Sequence, residues 1–256
     1  MVLLDQAAAR FVRSWLGPPT GPSLLALRHA LMYRRPGLWG DRPKAPRSVV
    51  LVREGDGQLE AFGAGEAQPA VGWLLEQRRG VALHAPEAWH EVVRAWFGRA
   101  DSIAVETWAG AEMADSRRAI AGSPPIITRR LTTADSAAFG ASAPSWSLRG
   151  WRTYTDLIQH GAAFGVPYES GFASVAWVFD QVERYDALGV FTAPRFRRLG
   201  LGRASAAILI DHVITRRDKS PIWSTTLENQ PSRALAEALG FSPVAAETVL
   251  RWPAQS

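Results

Sequence analysis

The sequence has no cysteine among its 256 residues, which excludes disulfides, thiolate metal ligands and a cysteine nucleophile. It also lacks any apolar run near the roughly 20 residues that a membrane-spanning helix needs; the longest, at 204–210, is far shorter. Histidine is scarce. His29, His84, His90, His160 and His212 show no metal-ligand spacing, and no Ser-His-Asp arrangement can be argued from them, so no metal site is expected. Neither sign of charge dominates: 24 acidic residues are mixed among 29 basic ones, a balance of +5 that does not make a broad nucleic-acid face. Residues 1–16 carry Asp5, Arg10 and Arg13 among apolar positions, which suits an amphipathic helix better than a secretory signal. A cytoplasmic protein without nucleic-acid or membrane partners is expected, and its oligomeric state is not legible. No low-complexity segment or convincing repeat is evident.

What is present is 47% hydrophobic residues, enough for one large domain or two modest ones. Pro36, Gly37, Gly40, Pro43 and Pro46 mark a loop over 34–47. The β-prone runs 48–52 and 59–62 flank Asp56-Gly57, a strong hairpin signal. A helix from Pro69 to about Gln77, a strand at 81–84, a helix at 87–97 ending at Gly98 and a strand at 102–108 complete a β-β-α-β-α-β order. Residues 110–125 lose apolar periodicity and end in Gly122-Ser123-Pro124-Pro125, read as a connection between a lobe at 1–121 and a domain at 126–256.

The second half opens with a strand at 126–131, a capping box at Thr132 and Asp135, and helical spacing over 148–160. Strands are expected at 173–179, 185–192, 221–227 and 248–252, with helices at 202–217 and 232–239. The most informative stretch lies between the second of these strands and the first helix: Val190, Phe191, Thr192, then Arg197, Arg198, Leu199, Gly200, Leu201, Gly202 and Arg203. Glycines let a diphosphate approach the backbone, a helix start presents unpaired amides, and the three arginines add charge. A Gly-x-Gly before a helix is weak by itself; Gly63-Ala64-Gly65 before Pro69 reads as an ordinary tight turn. Ser205 stands where a Rossmann site would have its third glycine.

The second glycine turn is followed at the expected distance by Asn229-Gln230-Pro231-Ser232 and by 235–241. This linked pair of motifs resembles the GNAT N-acetyltransferase superfamily over roughly 126–252, and Trp223-Ser224 with Ser232 looks closest to its zwittermicin-resistance branch. The resemblance implies an α/β (α+β) fold, with a mostly antiparallel mixed sheet flanked by helices and a smaller α/β N-terminal lobe that could be a degenerate second copy of a GNAT half. It implies acetyl-CoA as acyl donor. The backbone of Arg198 to Arg203 would hold its diphosphate, Val190 to Thr192 would pair with the pantetheine arm, Asn229 would face that arm, and Ser232 would join the cofactor set.

The expected reaction is direct attack of a small-molecule amine on the thioester. A lysine-like amine, with a pKa of about 10.4, is mostly protonated at neutral pH, so a carboxylate base would help. Asp186, in the strand entering the cofactor loop, is the first candidate and Glu183, in the preceding turn, the second. Against both stands the fact that a carboxylate at a hairpin is more often simply solvated. Ala236 stands where many relatives carry an acid tyrosine; Ser232 or Tyr185 could donate instead, although Ser232 also suits a first helical turn. The alternative is a non-catalytic acyl-CoA-binding or sensor module.

Overall fold

The computed structural model describes all residues except 18–21, 34–36, 56–57, 98–99, 122–125 and 255–256. The Asp56-Gly57 turn, Gly98 and the Gly122-Ser123-Pro124-Pro125 linker lie outside the described residues. In chain order the elements are β1 (Val2–Leu3), α1 (Gln6–Trp15), α2 (Pro22–Met32), β2 (Leu38–Gly40), β3 (Ser48–Gly55), β4 (Gln58–Gly65), α3 (Ala67–Glu76), β5 (Gly80–His84), α4 (Glu87–Phe97) and β6 (Asp101–Ala109). After α5 (Met113–Ile120) come β7 (Arg129–Arg130), α6 (Ser136–Ser142), α7 (Tyr154–His160), β8 (Ala163–Tyr168), β9 (Gly171–Gln181), β10 (Tyr185–Thr192), α8 (Leu201–Arg217), β11 (Ser220–Thr226), α9 (Gln230–Ala238) and β12 (Ser242–Trp252). Setting α5 aside, the order β-α-α-β-β-β-α-β-α-β occurs twice. Among the described residues, no helix is long and apolar enough to cross a membrane.

Packing divides the chain into Met1–Glu106 with Ala245–Ser256, and Thr107–Val244. This division differs from the one expected at 121 and 126, because the last strand of the chain closes the first unit. Residues 249–252 of β12 pair with β5, and Leu250 and Trp252 enter that unit's core. In the second unit, α5 packs on α8.

In the first unit β1 to β4 form antiparallel pairs, while β4 and β5 run parallel and are bridged by α3. Alternation along the strands sends side chains to two cores. Val50, Leu59 and Ala61 meet Val71 and Leu74 of α3 and Trp89 and Val93 of α4. Val49, Leu51, Phe62 and Ala64 meet Val12 of α1 and Leu27 of α2. Asp5 caps α1 by accepting from Ala8 N–H at 2.9 Å.

In the second unit β7 to β10 form antiparallel pairs, and β10 runs parallel to β11 across α8. Six consecutive residues of β9, 173–178, all apolar except Ser174, are buried because the strand is covered on both faces. Trp177 packs toward Phe139 of α6, while Ser174 meets Ser205 of α8. The β9–β10 register skips Phe179, since Asp180 opposes Ala187 and Val178 opposes Leu188. Gly150 lies against this bulge, where a Cβ would run into the Phe179 carbonyl, and Trp151 Nε1 donates to Val178 O at 2.7 Å. Gly150→Ala is therefore expected to cost about 1–3 kcal/mol, the usual range for overpacking. Thermal unfolding reads this directly, and an unchanged midpoint would show that the loop does not hold the bulge.

Several elements differ from the sequence expectations. Helix α2 is apolar around much of its circumference, with Leu25, Ala26, Leu27 and Ala30 buried, so it lacks an amphipathic stripe. Strand β2 forms inside the expected loop because β3 supplies its partner. Helix α5 forms in the expected connection, with a capping box at Glu112 and Asp115. Strand β8 carries Gly165 and Pro167, which obscure its pattern, and β7 keeps only two of the six expected residues. The helical region at 148–160 resolves into a 3₁₀ turn ending at Leu148 and the shorter α7.

Candidate functional site

The second unit contains an opened strand pair. The β9–β10 ladder runs to Thr192, opposite Ser174, whereas β10 pairs with β11 only at Tyr185, Asp186 and Ala187, opposite Ser220, Pro221 and Ile222. Beyond that point 188–192 and 223–226 diverge. Ala193 N–H donates to Ala173 O at 3.0 Å, so the alternation of an antiparallel ladder turns the peptide groups of Phe191 and Gly189 toward β9. Those of Leu188, Val190 and Thr192 consequently face the side that β11 has left. Thr192 O already accepts from Arg197 Nε at 3.3 Å there. The N–H and C=O of Val190 are placed to pair with an extended ligand.

At the open end a 3₁₀ turn at Pro194–Phe196 leads into Arg198 and Gly200, which have φ of 63° and 77°. Two left-handed residues separated by one curl the chain into a concavity. For Arg198 this conformation costs roughly 1–2 kcal/mol, while for Gly200 it is free of that penalty. The first helical bond of α8 runs from Ala204 N–H to Gly200 O at 3.0 Å, so the N–H groups of Leu201, Gly202 and Arg203 have no carbonyl within the helix. Gly200 supplies no capping side chain. A Cβ on Gly202 would come within 2.8 Å of Thr192 Oγ1, so glycine lets the helix start sit against the end of β10. Leu199 is 61% exposed and leaves the turn unplugged. The helix-start amides, the positive end of a 17-residue helix and nearby arginines together favour an anion at this turn.

Asp186 does not belong to this open end. It lies about 13 Å along the strand from Val190, at 3.3 Å per residue, and is 0% exposed. Arg217 at the end of α8 contacts both its carboxylate oxygens, and Lys219 Nζ reaches Oδ1 at 3.0 Å. Arg217 also donates to His160 O, Gly161 O and Gln181 Oε1, while Lys219 donates to Val182 O at 2.7 Å. The expected base is thus the centre of an ion-pair knot that ties α7, α8 and the strands at the closed end of the gap. Its hairpin location looked accessible in one dimension; tertiary packing sealed it. Glu183 is exposed in the turn beyond that end, and Tyr185 begins β10 there. Neither residue is brought to Val190.

On the other flank, Asn229 caps α9, its Oδ1 accepting from Ser232 N–H at 3.3 Å. Ser232 occupies the first turn and its hydroxyl accepts from Trp223 Nε1 at 3.0 Å. Ala236, one turn later, is fully buried, so α9 brings no acid at that position. Leu235 Cδ2 lies 3.9 Å from the Cβ position of Gly202, which places α9 beside the helix start. Among the described residues no group of three or more His, Asp or Glu could hold a metal. Two buried serines, Ser174 and Ser205, adjoin the turn and were missed as site residues. Ser174 is a polar interruption in an apolar strand, which is a legible signal.

The corresponding crossover of the first unit is closed. Strand β5 pairs with β4 along its whole length, Gly80 to His84 opposite Gln58 to Phe62. The Trp89 ring fills the space beside Gly63, and its Nε1 donates to Gly65 O at 2.8 Å. Glu66 stands at the N-cap of α3 and Pro69 removes an amide from its first turn. A carboxylate and a missing donor both disfavour an anion.

A family model described as GNAT acetyltransferase matches residues 125–249. No curated protein matches the chain by sequence. Among solved structures, a GCN5-related N-acetyltransferase-like protein from Streptococcus suis aligns over 96% of this chain and 98% of its own, with a TM-score of 0.73 and 17% identity. A tandem GNAT protein from the clavulanic acid biosynthesis pathway aligns over 100% and 98%, with a TM-score of 0.61 and 14% identity. A GNAT-family acetyltransferase from Colwellia psychrerythraea aligns over 95% and 93%, at 0.57 and 18%. These likenesses establish the fold, including its doubled form. The opened strand pair, the glycine turn and both adjoining helices fall within the matched segment, and residues 125–249 are identified as a GNAT acetyltransferase domain.

Proposed function

We propose that the second unit binds acetyl-CoA in the gap between β10 and β11 and transfers its acetyl group directly to the amine of a small molecule. The observation that carries this reading is the release of β11 from β10 after three residue pairs, beside the start of α8, whose first helical bond is made by Ala204 N–H. The pantetheine arm extends along Val190, and the diphosphate rests on the N–H groups of 201–203. A backbone N–H facing the gap, such as that of Val190, stabilises the oxyanion formed when the amine attacks the thioester carbon. The carbon–sulfur bond then breaks and the thiolate leaves, while the proton lost by the amine nitrogen passes through solvent to the thiolate. A thiol with a pKa near 8.5 is a tolerable leaving group without an acid at Ala236. With Asp186 committed to Arg217 and Lys219, the rate follows the neutral fraction of the acceptor amine. Sequence absence of cysteine and the bonded state of Ser232 favour direct attack over a covalent acyl-enzyme.

Calorimetry at low salt is expected to show one acetyl-CoA per chain, because the first unit's crossover is sealed by Trp89. Affinity should fall as salt screens the arginine–phosphate attraction. Gly202→Val, which pushes a side chain against Thr192, should weaken binding by at least about tenfold, or 1.4 kcal/mol. Absence of saturable binding by the parent protein overturns the proposal. A second reading, an acyl-CoA sensor without turnover, is favoured by the loss of acid–base groups at Asp186 and Ala236. Binding without thiol release across a broad amine screen would select it.

A further inference from the structure

Three hydroxyls meet directly beneath the glycine turn. Ser174 Oγ of β9 lies 2.9 Å from Thr192 Oγ1, 3.1 Å from Ser205 Oγ and 3.2 Å from Phe191 O. Ser205 Oγ in turn lies 3.1 Å from Leu201 O and 3.2 Å from Gly202 O. Ser174 is 1% exposed and Ser205 0%, and their chain neighbours are Ala173, Val175, Ala204 and Ala206. Packing alone would be served by alanine at both positions, since burying a hydroxyl is unfavourable unless it is hydrogen-bonded.

The carbonyls that these serines contact have a common property. Each belongs to a peptide unit whose N–H end faces the proposed ligand. Phe191 C=O shares its plane with Thr192 N–H, which turns toward the gap; Leu201 C=O shares its plane with Gly202 N–H, and Gly202 C=O with Arg203 N–H. A hydrogen bond at the carbonyl end fixes the plane's orientation and polarises the N–H at the other end. The three hydroxyls have one proton each. When Ser205 donates within its helix and Thr192 donates to Ser174, the Ser174 proton is left for Phe191 O or Ser205. Through Ser174 the strand end and the helix start are therefore tied into one unit.

We propose that Ser174, Thr192 and Ser205 act as a hydroxyl clamp that positions the amides of both parts of the coenzyme site, the strand edge for the arm and the helix start for the diphosphate. The inference rests on the reading of this site as an acyl-CoA site. The clamp makes the two parts a single preformed surface, so its residues are positioning residues that need not touch the ligand.

The test measures acetyl-CoA affinity, its salt dependence and the unfolding midpoint for the parent chain and for Ser174→Ala, Ser205→Ala and Ser174→Thr. The two alanine variants should each bind about tenfold more weakly, the order expected when hydrogen bonds that preorganise a site are lost. Their salt dependence should match the parent's, because no charge is removed. In turnover, KM should rise by the same factor as the dissociation constant. Ser174→Thr keeps a hydroxyl in a strand position that favours a β-branched residue and should stay within about threefold of the parent. A lowered midpoint with parental affinity in the folded protein would show a purely structural role and overturn the clamp. Alanine variants that bind like the parent would overturn it as well. No binding by the parent would instead remove the acyl-CoA reading on which it depends.

Discussion

Asp186→Ala is expected to destabilise the second unit by roughly 3–5 kcal/mol, the range for breaking a buried ion pair by removing one partner. The effect is large because the remaining charges are also enclosed: the side chains of Arg217 and Lys219 are only 14% and 15% exposed. Their carbonyl partners at His160, Gly161 and Val182 hold both cations in place after the carboxylate has gone. The loss measures two uncompensated buried charges rather than the net worth of the knot. Because the knot closes the narrow end of the strand gap, acetyl-CoA affinity should fall with stability. Denaturant unfolding of the full chain, followed by acetyl-CoA binding on whatever remains folded, checks both. Asp186→Asn separates this role from catalysis, since it keeps the shape but not the charge. Under the structural role, any residual turnover retains the parent's pH–rate profile. A variant that unfolds like the parent but loses turnover, with the acidic limb of its profile changed, would restore Asp186 as a base.

The second large effect concerns pH and the first unit. His84 on β5 lies between Glu60 of β4 and Glu247 of β12, with Nδ1 2.9 Å from Glu247 Oε1 and Nε2 3.6 Å from Glu60 Oε1. Burial by itself disfavours the imidazolium, but hydrogen bonds to Glu247 and Glu60 outweigh it and push the pKa from its ordinary 6.5 up to about 9. At 1.36 kcal/mol per pH unit the difference corresponds to roughly 3 kcal/mol. The folded state binds the proton more tightly than the unfolded chain, so stability rises toward low pH. The contribution is complete below about pH 6.5, declines as pH rises from there toward 9, and is absent above it. Because β12 comes from the end of the chain, this pair fastens a sequence-distant strand to the first unit. Unfolding free energy of the parent should therefore decline between pH 6.5 and 9, while His84→Gln should lack this slope. A flat parental profile, or an imidazole that titrates near 6.5 by NMR, would show that the two glutamates do not hold the proton.

Much of the site was legible because its determinants are local. Gly200 and Gly202 between an apolar strand and an apolar helical run, with Asn229 and Ser232 opening the next helix, are defined by spacings of a few residues. The glycine turn and the start of α8 follow from that spacing, while Asn229, expected only to face a ligand, caps α9. The β3–β4 hairpin and helices α3 and α4 were equally local, since period-2 and period-3.6 patterns survive in them. Helix α2 was not, because a segment buried on most sides carries no stripe.

Asp186 shows the limit of such reading. A carboxylate in a strand looks alike in sequence whether it faces solvent or two cations supplied 31 and 33 residues later. The doubled element order was suggested only by the β-β-α-β-α-β pattern of the first half and not by any residue repeat, because a core requires volume and alternation rather than particular side chains, so two halves can share topology without a recognisable repeat.

By itself, the sequence determined the local chemistry: a glycine turn ahead of a helix, a family signature around it, and the exclusion of thiol chemistry. Tertiary structure alone decided that β11 parts from β10 after three pairs, that Trp89 closes the first unit's crossover, that Asp186 is a buried anchor, and that β12 joins the first unit. The reason is physical. Local conformation depends on neighbours within about one helical turn, whereas strand separation, burial and ion pairing depend on residues that only folding brings together.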